Sequence, residues 1–306
     1  MITVKGDKTP LFILDTGHTT YAMKVLDTGH IEHLYYGRKI HLDSEDGLTE
    51  QHEFAPGTSV VYSSEHGNIS LDDMRLEMSS YGKGDVREAF VEIVNSDGSM
   101  TTDLLYKGYA ESKGRDGGTE GLPTSYGEDA EVLTVTLEDK DNHVRLELIY
   151  CVYSDTDVIT RTSRLINDGD GDIRIRRLMS AQIDFDPADY VFSTFTGAWA
   201  REMKRTDMSV ASARLVNSSY TGNSSNRANP FVMLSTRGCR RNTWSMMGSS
   251  RRTGSGSRWR NRIRNGRKRI LSDSMLPKRT ADWSSIVLWK SSCIQRQKVR
   301  PVRAEV

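Results

Sequence analysis

The chain lacks the features of an exported, membrane-spanning or metal-centred protein. Its 306 residues contain no apolar run of about 18 residues, and residues 1–15 alternate charged and apolar types. Its three cysteines, Cys151, Cys239 and Cys293, are widely spaced and form no Cys-x-x-Cys pair. We therefore expect a cytoplasmic chain with reduced thiols, no metal and no cofactor.

Acidic residues, tyrosine and phenylalanine become scarce after residue 236. Residues 1–236 hold 23 Lys and Arg against 38 Asp and Glu, whereas residues 237–306 hold 19 against 3. The second part has no Tyr or Phe, yet it contains four of the five tryptophans. We predict a folded domain over 1–236 and a basic, irregular segment over 237–306. The segment is interpreted as a non-native reading frame or sequence error, with a disordered tail as the alternative.

The basic segment also contains a pattern typical of nucleic-acid binding. Arginine alternates at 258, 260, 262 and 264, and the run ends with Arg267-Lys268-Arg269. The segment matches no recognisable nucleic-acid-binding fold. Nucleic-acid binding therefore stays an alternative, and the preferred prediction has neither a nucleic acid nor a membrane among the partners.

Helical periodicity is scarce in residues 1–236, and short runs rich in Val, Ile, Leu, Thr and Tyr occur instead. These runs are separated by Gly, Asp and Asn, so a large antiparallel β-sandwich is predicted. Three strand pairs are expected: residues 132–137 with 144–152, 90–94 with 100–106, and 158–166 with 173–179.

Three motifs suggest chemistry but fail on inspection. Asp168-Gly169-Asp170-Gly171-Asp172 begins like a calcium loop, yet Ile173 and Met179 occupy the positions that need Gly and Glu. Tyr81-Gly82-Lys83-Gly84-Asp85 is not a full phosphate-binding loop, so a bend between strands is predicted. For His30 and His33 we expect surface or hairpin positions rather than a metal site.

Six longer blocks carry a family resemblance. In order they are LYYGRKIH (34–41), SSYGKGDVRE (79–88), GLPTSYGE (121–128), DVITRTSR (157–164), TGAWARE (196–202) and SSNRANPF (224–231). Together they resemble the amino-terminal domain of family 36 α-galactosidases over about residues 10–236. The resemblance implies a β-supersandwich of the galactose-mutarotase-like type, which in the family precedes a (β/α)₈ barrel and a small β domain.

The resemblance also implies an activity, namely retaining hydrolysis of terminal α-galactosides such as raffinose and melibiose, usually by a homo-oligomer. Its two catalytic carboxylates belong to barrel loops, so we expect this fragment to be inactive alone and assign it no catalytic residue. Trp199 and Gln51, with Glu50 as the alternative to Gln51, are the candidates for substrate binding. The alternative prediction is that the chain is a non-enzymatic sugar-binding or assembly module.

Overall fold

The structure is a computed structural model that describes most of the first 236 residues. The described ranges are 1–44, 47–49, 60–114, 129–185, 189–210, 214–218, 227–229 and 231–236, together with the backbone of four strands between residues 244 and 291.

Within these ranges the chain forms eighteen β-strands and one short 3₁₀ helix at Ser154–Thr156. The first nine strands are β1 (Ile2–Lys5), β2 (Leu11–Asp15), β3 (Thr19–Val25), β4 (Ile31–Arg38), β5 (Val91–Val94), β6 (Leu105–Lys113), β7 (Glu131–Asp139), β8 (Val144–Tyr153) and β9 (Val158–Asn167). The other nine are β10 (Arg174–Phe185), β11 (Tyr190–Ala198), β12 (Arg201–Ser209), β13 (Val216–Ser218), β14 (Phe231–Thr236), β15 (Trp244–Ser250), β16 (Ser257–Arg264), β17 (Arg267–Ser274) and β18 (Ser285–Ser291).

The strands form three sheets in which neighbouring strands are antiparallel. A four-stranded sheet has the order β1-β2-β3-β4, and a five-stranded sheet has the order β13-β16-β17-β10-β5. The third sheet has nine strands in the order β12-β11-β14-β15-β18-β9-β8-β7-β6. The predicted all-β antiparallel fold is therefore confirmed.

The hairpin of β7 and β8 shows how the sequence pattern produces the core. Leu133, Val135 and Leu137 alternate with polar residues, so they share one face of β7, and all three are buried. Leu133 lies opposite Tyr150 and Leu137 opposite Leu146, so both strands present apolar side chains to the same side. The four-residue connection between Asp139 and Val144 agrees with the predicted hairpin.

One continuous apolar core joins all three sheets. The four-stranded sheet contributes Phe12, Leu14 and Tyr21, and the five-stranded sheet contributes Ile93 and Ile183. The nine-stranded sheet adds the buried face of β7 and β8 that includes Leu133 and Leu148. Burial of an apolar side chain of this size contributes about 1.5–3 kcal/mol, so this shared core is the main source of cohesion between the sheets.

The predicted pairing of residues 90–94 with 100–106 is wrong. Asn95 to Ser99 does form the expected turn, closed by a 2.8 Å bond from Asn95 N to Ser99 O, with Gly98 at φ +85°. However, β5 pairs with β10 and β6 pairs with β7, so the two strands leaving the turn join different sheets. The turn could be predicted from the local sequence, whereas the pairing of β5 and β6 depends on strands that are distant in sequence.

The predicted pairing of residues 158–166 with 173–179 is also wrong. β9 pairs with β8 and β18 in the nine-stranded sheet, whereas β10 pairs with β5 and β17 in the five-stranded sheet. The acidic run between them is thus a crossing from one sheet to the other. Asp168 there forms an ion pair of 3.2 Å with Arg145.

The basic segment supplies four of the described strands. The backbones of β15 and β18 continue the nine-stranded sheet between β14 and β9, and those of β16 and β17 lie between β13 and β10. The sequence pattern did not predict these strands. The prediction of a separate basic tail over 237–306 stays a prediction, and the rest of that segment lies outside the described residues.

Within the ranges given above, no helix has the length and apolar character required to cross a membrane.

Candidate functional site

The turn between β11 and β12 carries Trp199, the first predicted substrate-binding residue. Ala198 pairs with Arg201 across this turn, which leaves Trp199 and Ala200 as its two central residues. Ala200, the second central residue, has φ +61°, a left-handed conformation that several types of tight turn contain. The indole is 92 % exposed, so packing inside this chain does not account for the tryptophan.

The hairpin that ends at Trp199 extends beyond the packed part of the sandwich. Seven consecutive residues of β12, from Arg201 to Asp207, are exposed, so both faces of the strand lie in solvent. On β11, in contrast, Phe195 stacks on Phe231 of β14 with ring centroids 4.8 Å apart. The turn is thus held by a packed strand and presents its own side chains outward, as expected for a surface that contacts another molecule.

The second predicted residue, Gln51, and its alternative Glu50 lie outside the described residues. Their role in substrate binding stays a prediction. In the described part of the chain, no group of three or more His, Cys, Asp or Glu side chains has an arrangement that could hold a metal ion.

A buried polar centre around Glu77 connects the sheets, and it was not predicted. The Glu77 carboxylate accepts hydrogen bonds from the hydroxyls of Tyr21 at 2.7 Å and Tyr150 at 2.6 Å. The Arg161 guanidinium forms an ion pair with it at 2.7 Å, and Nδ1 of His33 lies 3.4 Å away. The side chains of Glu77 and Arg161 are both completely buried. A buried charge pair is tolerated when its carboxylate and most of the guanidinium nitrogens have partners, as here, where Nε of Arg161 is the atom without a hydrogen bond.

Arg161 extends the same centre toward the five-stranded sheet. Its guanidinium donates to the backbone oxygen of Gln182 on β10 at 3.3 Å and to the backbone oxygen of Glu77 at 3.1 Å. It also lies over the rings of Phe90 and Tyr150, at 5.2 and 5.4 Å from their centroids. One arginine therefore links β8 and β9 to β10 and to the segment that carries Glu77.

Burial and hydrogen bonding set the charge state of this centre. Burial raises the pKa of Glu77, but Arg161, His33 and Tyr150 lower it by more, and the net pKa is below the ordinary value of 4.5. Burial and the Glu77 charge raise the pKa of Tyr21 well above 10.0. Glu77 is therefore an ionised acceptor and Tyr21 a neutral donor at neutral pH.

This charge state predicts a loss of stability in acid. The pKa of Glu77 is lower in the folded than in the unfolded chain. Its contribution to the free energy of unfolding is therefore complete above about pH 4.5 and is lost as the pH falls through the folded pKa. Urea unfolding measured from neutral pH down to about pH 3 should show a falling free energy of unfolding.

The matched variant for this test is Glu77→Gln. It retains Asp103 and Asp157, whose pKa values are also lowered. Its free energy of unfolding should therefore still decrease in acid, but by less than that of the original chain. An equal acid loss in the two proteins would show that Glu77 is not the group involved.

A second buried arginine, Arg87, holds another part of the sandwich. Its side chain donates to Asp85 at 2.9 Å, to Asp184 at 3.2 Å, and to the backbone oxygens of Leu71 and Met74 at 2.7 and 2.8 Å. Asp184 lies on β10, whereas Leu71 and Met74 lie in the long segment before β5. Arg87 thus fixes that segment against the five-stranded sheet.

His30 and His33 belong to the β3–β4 hairpin, in agreement with one of the two expected positions, but a surface position is wrong because both side chains are buried. His33 lies beside Glu77, and Nε2 of His30 lies 3.2 Å from Asp103. Their spacing of three residues carried no information about partners that lie more than forty residues away in sequence. The position of His33 within the mostly buried strand β4 could have indicated its burial, because a polar side chain there needs a buried partner.

Comparison with known proteins identifies the family. Residues 29–249 match the glycosyl hydrolase family 36 N-terminal domain, which is more than half of the chain. The chain belongs to glycosyl hydrolase family 36. The matched range starts just before β4 and continues through β15. Trp199, Glu77, Arg161 and Arg87 therefore all lie inside the matched range, whereas Tyr21 of the Glu77 centre precedes it.

Curated relatives of this family 36 domain are named as α-galactosidases. The bifunctional α-galactosidase/sucrose kinase AgaSK of Mediterraneibacter gnavus is 33 % identical over 236 residues, covering 74 % of this chain and 24 % of the relative. The α-galactosidase Mel36A of Lactobacillus acidophilus is 30 % identical over 232 residues, covering 74 % of this chain and 31 % of the relative. The chain thus spans about a quarter to a third of the length of these proteins.

Solved structures agree with the family 36 fold. The galactosidase domain of AgaSK has a TM-score of 0.84 and 28 % identity, covering 95 % of this chain and 42 % of that chain. A family 36 α-galactosidase from Geobacillus stearothermophilus, AgaA, in a variant solved with raffinose, has a TM-score of 0.82. That match is 24 % identical and covers 92 % of this chain and 41 % of the other.

Proposed function

We propose that this chain is the amino-terminal domain of an α-galactosidase that hydrolyses terminal α-galactosides of the raffinose and melibiose type. The observation that carries the proposal is the family match over residues 29–249 together with relatives named as α-galactosidases. The AgaA variant in complex with raffinose indicates the class of sugar that such a relative binds. A cytoplasmic location is part of the proposal, and it is supported by the cysteine pattern of the sequence.

The proposed chemistry is retaining hydrolysis by two carboxylates. One attacks the anomeric carbon to give a covalent glycosyl-enzyme, while the other protonates the departing oxygen and then activates water. We place both carboxylates on a barrel outside these 306 residues. The domain described here contributes substrate contacts and support for the barrel, and in the complete enzyme it is expected to belong to a homo-oligomer.

Trp199 is the residue of this chain that we assign to the sugar. Its indole face is apolar and 92 % exposed, and such a surface suits the C–H face of galactose. The Ala198–Arg201 pairing fixes the turn that carries it, so little conformational freedom is lost when a sugar binds. Gln51 is the second proposed contact.

The isolated 306-residue chain should not hydrolyse a chromogenic α-galactoside. The expected rate equals that of the buffer, because the proposal assigns both catalytic carboxylates to the barrel. The assay needs material free of host galactosidase, with mock-purified extract as its control. Turnover that copurifies with the chain would contradict the assignment of catalysis to the barrel, and saturable galactose binding without turnover is compatible with it.

The role of Trp199 can be measured in a chimera that joins residues 1–236 of this chain to the remaining part of the AgaSK galactosidase domain, which then supplies the strands equivalent to β15–β18 as well as the barrel. Trp199→Ala should raise KM for the galactoside by a factor that corresponds to about 1–3 kcal/mol, the scale of one lost aromatic contact. The matched control is Tyr109→Ala on β6, another exposed aromatic residue.

The melting temperature of the Trp199→Ala chimera should not change, because the indole is almost fully exposed and its removal costs little packing. Unchanged kinetics in this variant would show that Trp199 does not contact substrate.

A further inference from the structure

Asp103 lies at one end of the sandwich, where five segments of the chain converge. His30 precedes β4, Tyr62 and Lys83 lie in the long connection between β4 and β5, and Asp103 precedes β6. The fifth segment is the end of β7, where the Asp139 carboxylate accepts a hydrogen bond of 2.8 Å from the Asp103 backbone N–H. Loops gathered at one end of a rigid sandwich are a common place for a binding site.

His30, Tyr62, Lys83 and Asp103, here called the Asp103 cluster, are joined by direct contacts. Nε2 of His30 lies 3.2 Å from Oδ1 of Asp103, and the Tyr62 hydroxyl donates to Oδ2 at 2.9 Å. The Lys83 ammonium lies 3.2 Å from the same Oδ2. Burial raises the pKa of Asp103, but His30, Tyr62 and Lys83 lower it by more, so the carboxylate is ionised at neutral pH.

The Asp103 cluster retains hydrogen-bonding capacity at its exposed side. A carboxylate has roughly four acceptor positions, and the side chains above use three of those on Asp103. The Lys83 side chain is 37 % exposed, and in the described part of the chain Asp103 is the partner recorded for its ammonium. Because the charges of Lys83 and Asp103 cancel, the surface suits a neutral ligand with hydroxyl groups better than an anion.

Tyr81 is an exposed aromatic residue in the same loop as Lys83. Its backbone oxygen accepts a hydrogen bond of 3.1 Å from Thr102 N–H, the residue before Asp103, and its side chain is 47 % exposed. Gly82 and Gly84 have φ +101° and +94°, so the loop has a conformation that other residues adopt rarely. A side chain at Gly82 would also lie 2.7 Å from the Thr101 hydroxyl oxygen. These contacts hold the backbone of Tyr81 and Gly82 against Thr101 and Thr102, the two residues before Asp103.

We propose that Tyr81, Lys83 and Asp103 form a carbohydrate-binding site separate in sequence from Trp199. A neutral pyranose lies with its C–H face on the Tyr81 ring, and two neighbouring hydroxyls bond to the Asp103 carboxylate and the Lys83 ammonium. The combination of an exposed aromatic ring with a carboxylate and an ammonium group supplies both requirements of sugar binding, apolar contact and directed hydrogen bonds. The site requires no catalytic barrel.

The test is a titration of the full 306-residue chain with galactose and raffinose, followed by NMR saturation transfer. We expect saturable binding with Kd on the order of 1 mM, the range of a single shallow site. Tyr81→Ala should weaken binding at least about tenfold, as for loss of one aromatic anchor. Asp103→Asn should also weaken binding, whereas the matched exposed variant Tyr109→Ala should not change Kd. Tyr81 is outside the core, so its variant should melt at the original temperature.

Three outcomes would overturn the site. They are an absence of saturable binding, equal Kd values for Tyr81→Ala and the original chain, and a loss of binding that occurs only in Trp199→Ala. The proposed α-galactosidase function is tested separately, because turnover by the chimera depends on the barrel. An active chimera whose amino-terminal chain binds no sugar would remove the Tyr81 site and leave the proposed function intact.

Discussion

Replacing Arg161 by Met should destabilise the chain by about 3–5 kcal/mol, the cost of leaving a buried charge without its partner. Glu77 would keep its hydrogen bonds from Tyr21 and Tyr150 but lose the guanidinium 2.7 Å away. The contacts of Arg161 with Gln182 and Phe90 would also disappear. Urea unfolding at neutral pH measures the difference, and the extrapolated free energy of unfolding is the quantity to compare.

Two variants separate loss of the ion pair from loss of packing. Arg164→Met changes an arginine on the same strand whose side chain is 38 % exposed and paired with Glu147, so it should cost less than about 1 kcal/mol. The double variant Glu77→Gln/Arg161→Met removes both charges and should be more stable than Arg161→Met alone. A double variant as unstable as the single one would show that packing, and not the uncompensated Glu77 charge, dominates.

Replacing Arg87 by Met should cost a similar amount, about 3–5 kcal/mol, because it removes the guanidinium that pairs with the buried Asp85 and Asp184 carboxylates. Two backbone oxygens, of Leu71 and Met74, would lose their donor as well. Because Arg87 fixes the segment before β5, hydrogen exchange should accelerate there more than in the β7–β8 hairpin.

Arg176→Met is the matched control for this variant. Arg176 is 53 % exposed and forms an ion pair of 3.1 Å with Glu92, so its loss should change stability by less than about 1 kcal/mol. If the Arg87 and Arg176 variants unfold at the same urea concentration, the buried contacts of Arg87 contribute little.

Local sequence was sufficient for elements whose partners are close along the chain. The alternation of Leu133, Val135 and Leu137 predicted both the strand and its buried face, and the short connection to Val144 fixed the partner. The turn after β5 was also predicted, because Asp97-Gly98 supplies the positive φ that it needs. In these places the residues that decide the structure are a few positions apart.

Sequence was insufficient where the partner is distant. The turn at Asn95 does not reveal that β5 pairs with β10, about eighty residues later, and the acidic run does not reveal a crossing between sheets. The Glu77–Arg161 pair joins residues 84 positions apart, and no periodic pattern marks it. Periodicity predicts which face of a strand is buried, but it does not predict which strand or side chain packs against that face.

The candidate site was located from family resemblance and not from periodicity. Trp199 follows Gly197-Ala198, and the structure adds that it occupies a two-residue turn with its indole in solvent. The Tyr81 site, in contrast, was not predicted from the sequence and is recognised from the structure. Its Gly-Lys-Gly motif predicts a simple bend, because Asp103, the partner of Lys83, lies twenty residues later and no local pattern marks it.

The central claim, that this domain serves an α-galactosidase, is tested most directly by the activity of the chimera of residues 1–236 with the remaining strands and the barrel of the AgaSK galactosidase domain. If the sandwich supports the barrel as proposed, the purified chimera should hydrolyse a chromogenic α-galactoside with kcat/KM within about a hundredfold of the parent domain, since only part of the substrate contacts has changed. A chimera that is folded, has the parent's oligomeric state and shows no turnover above buffer would contradict the claim.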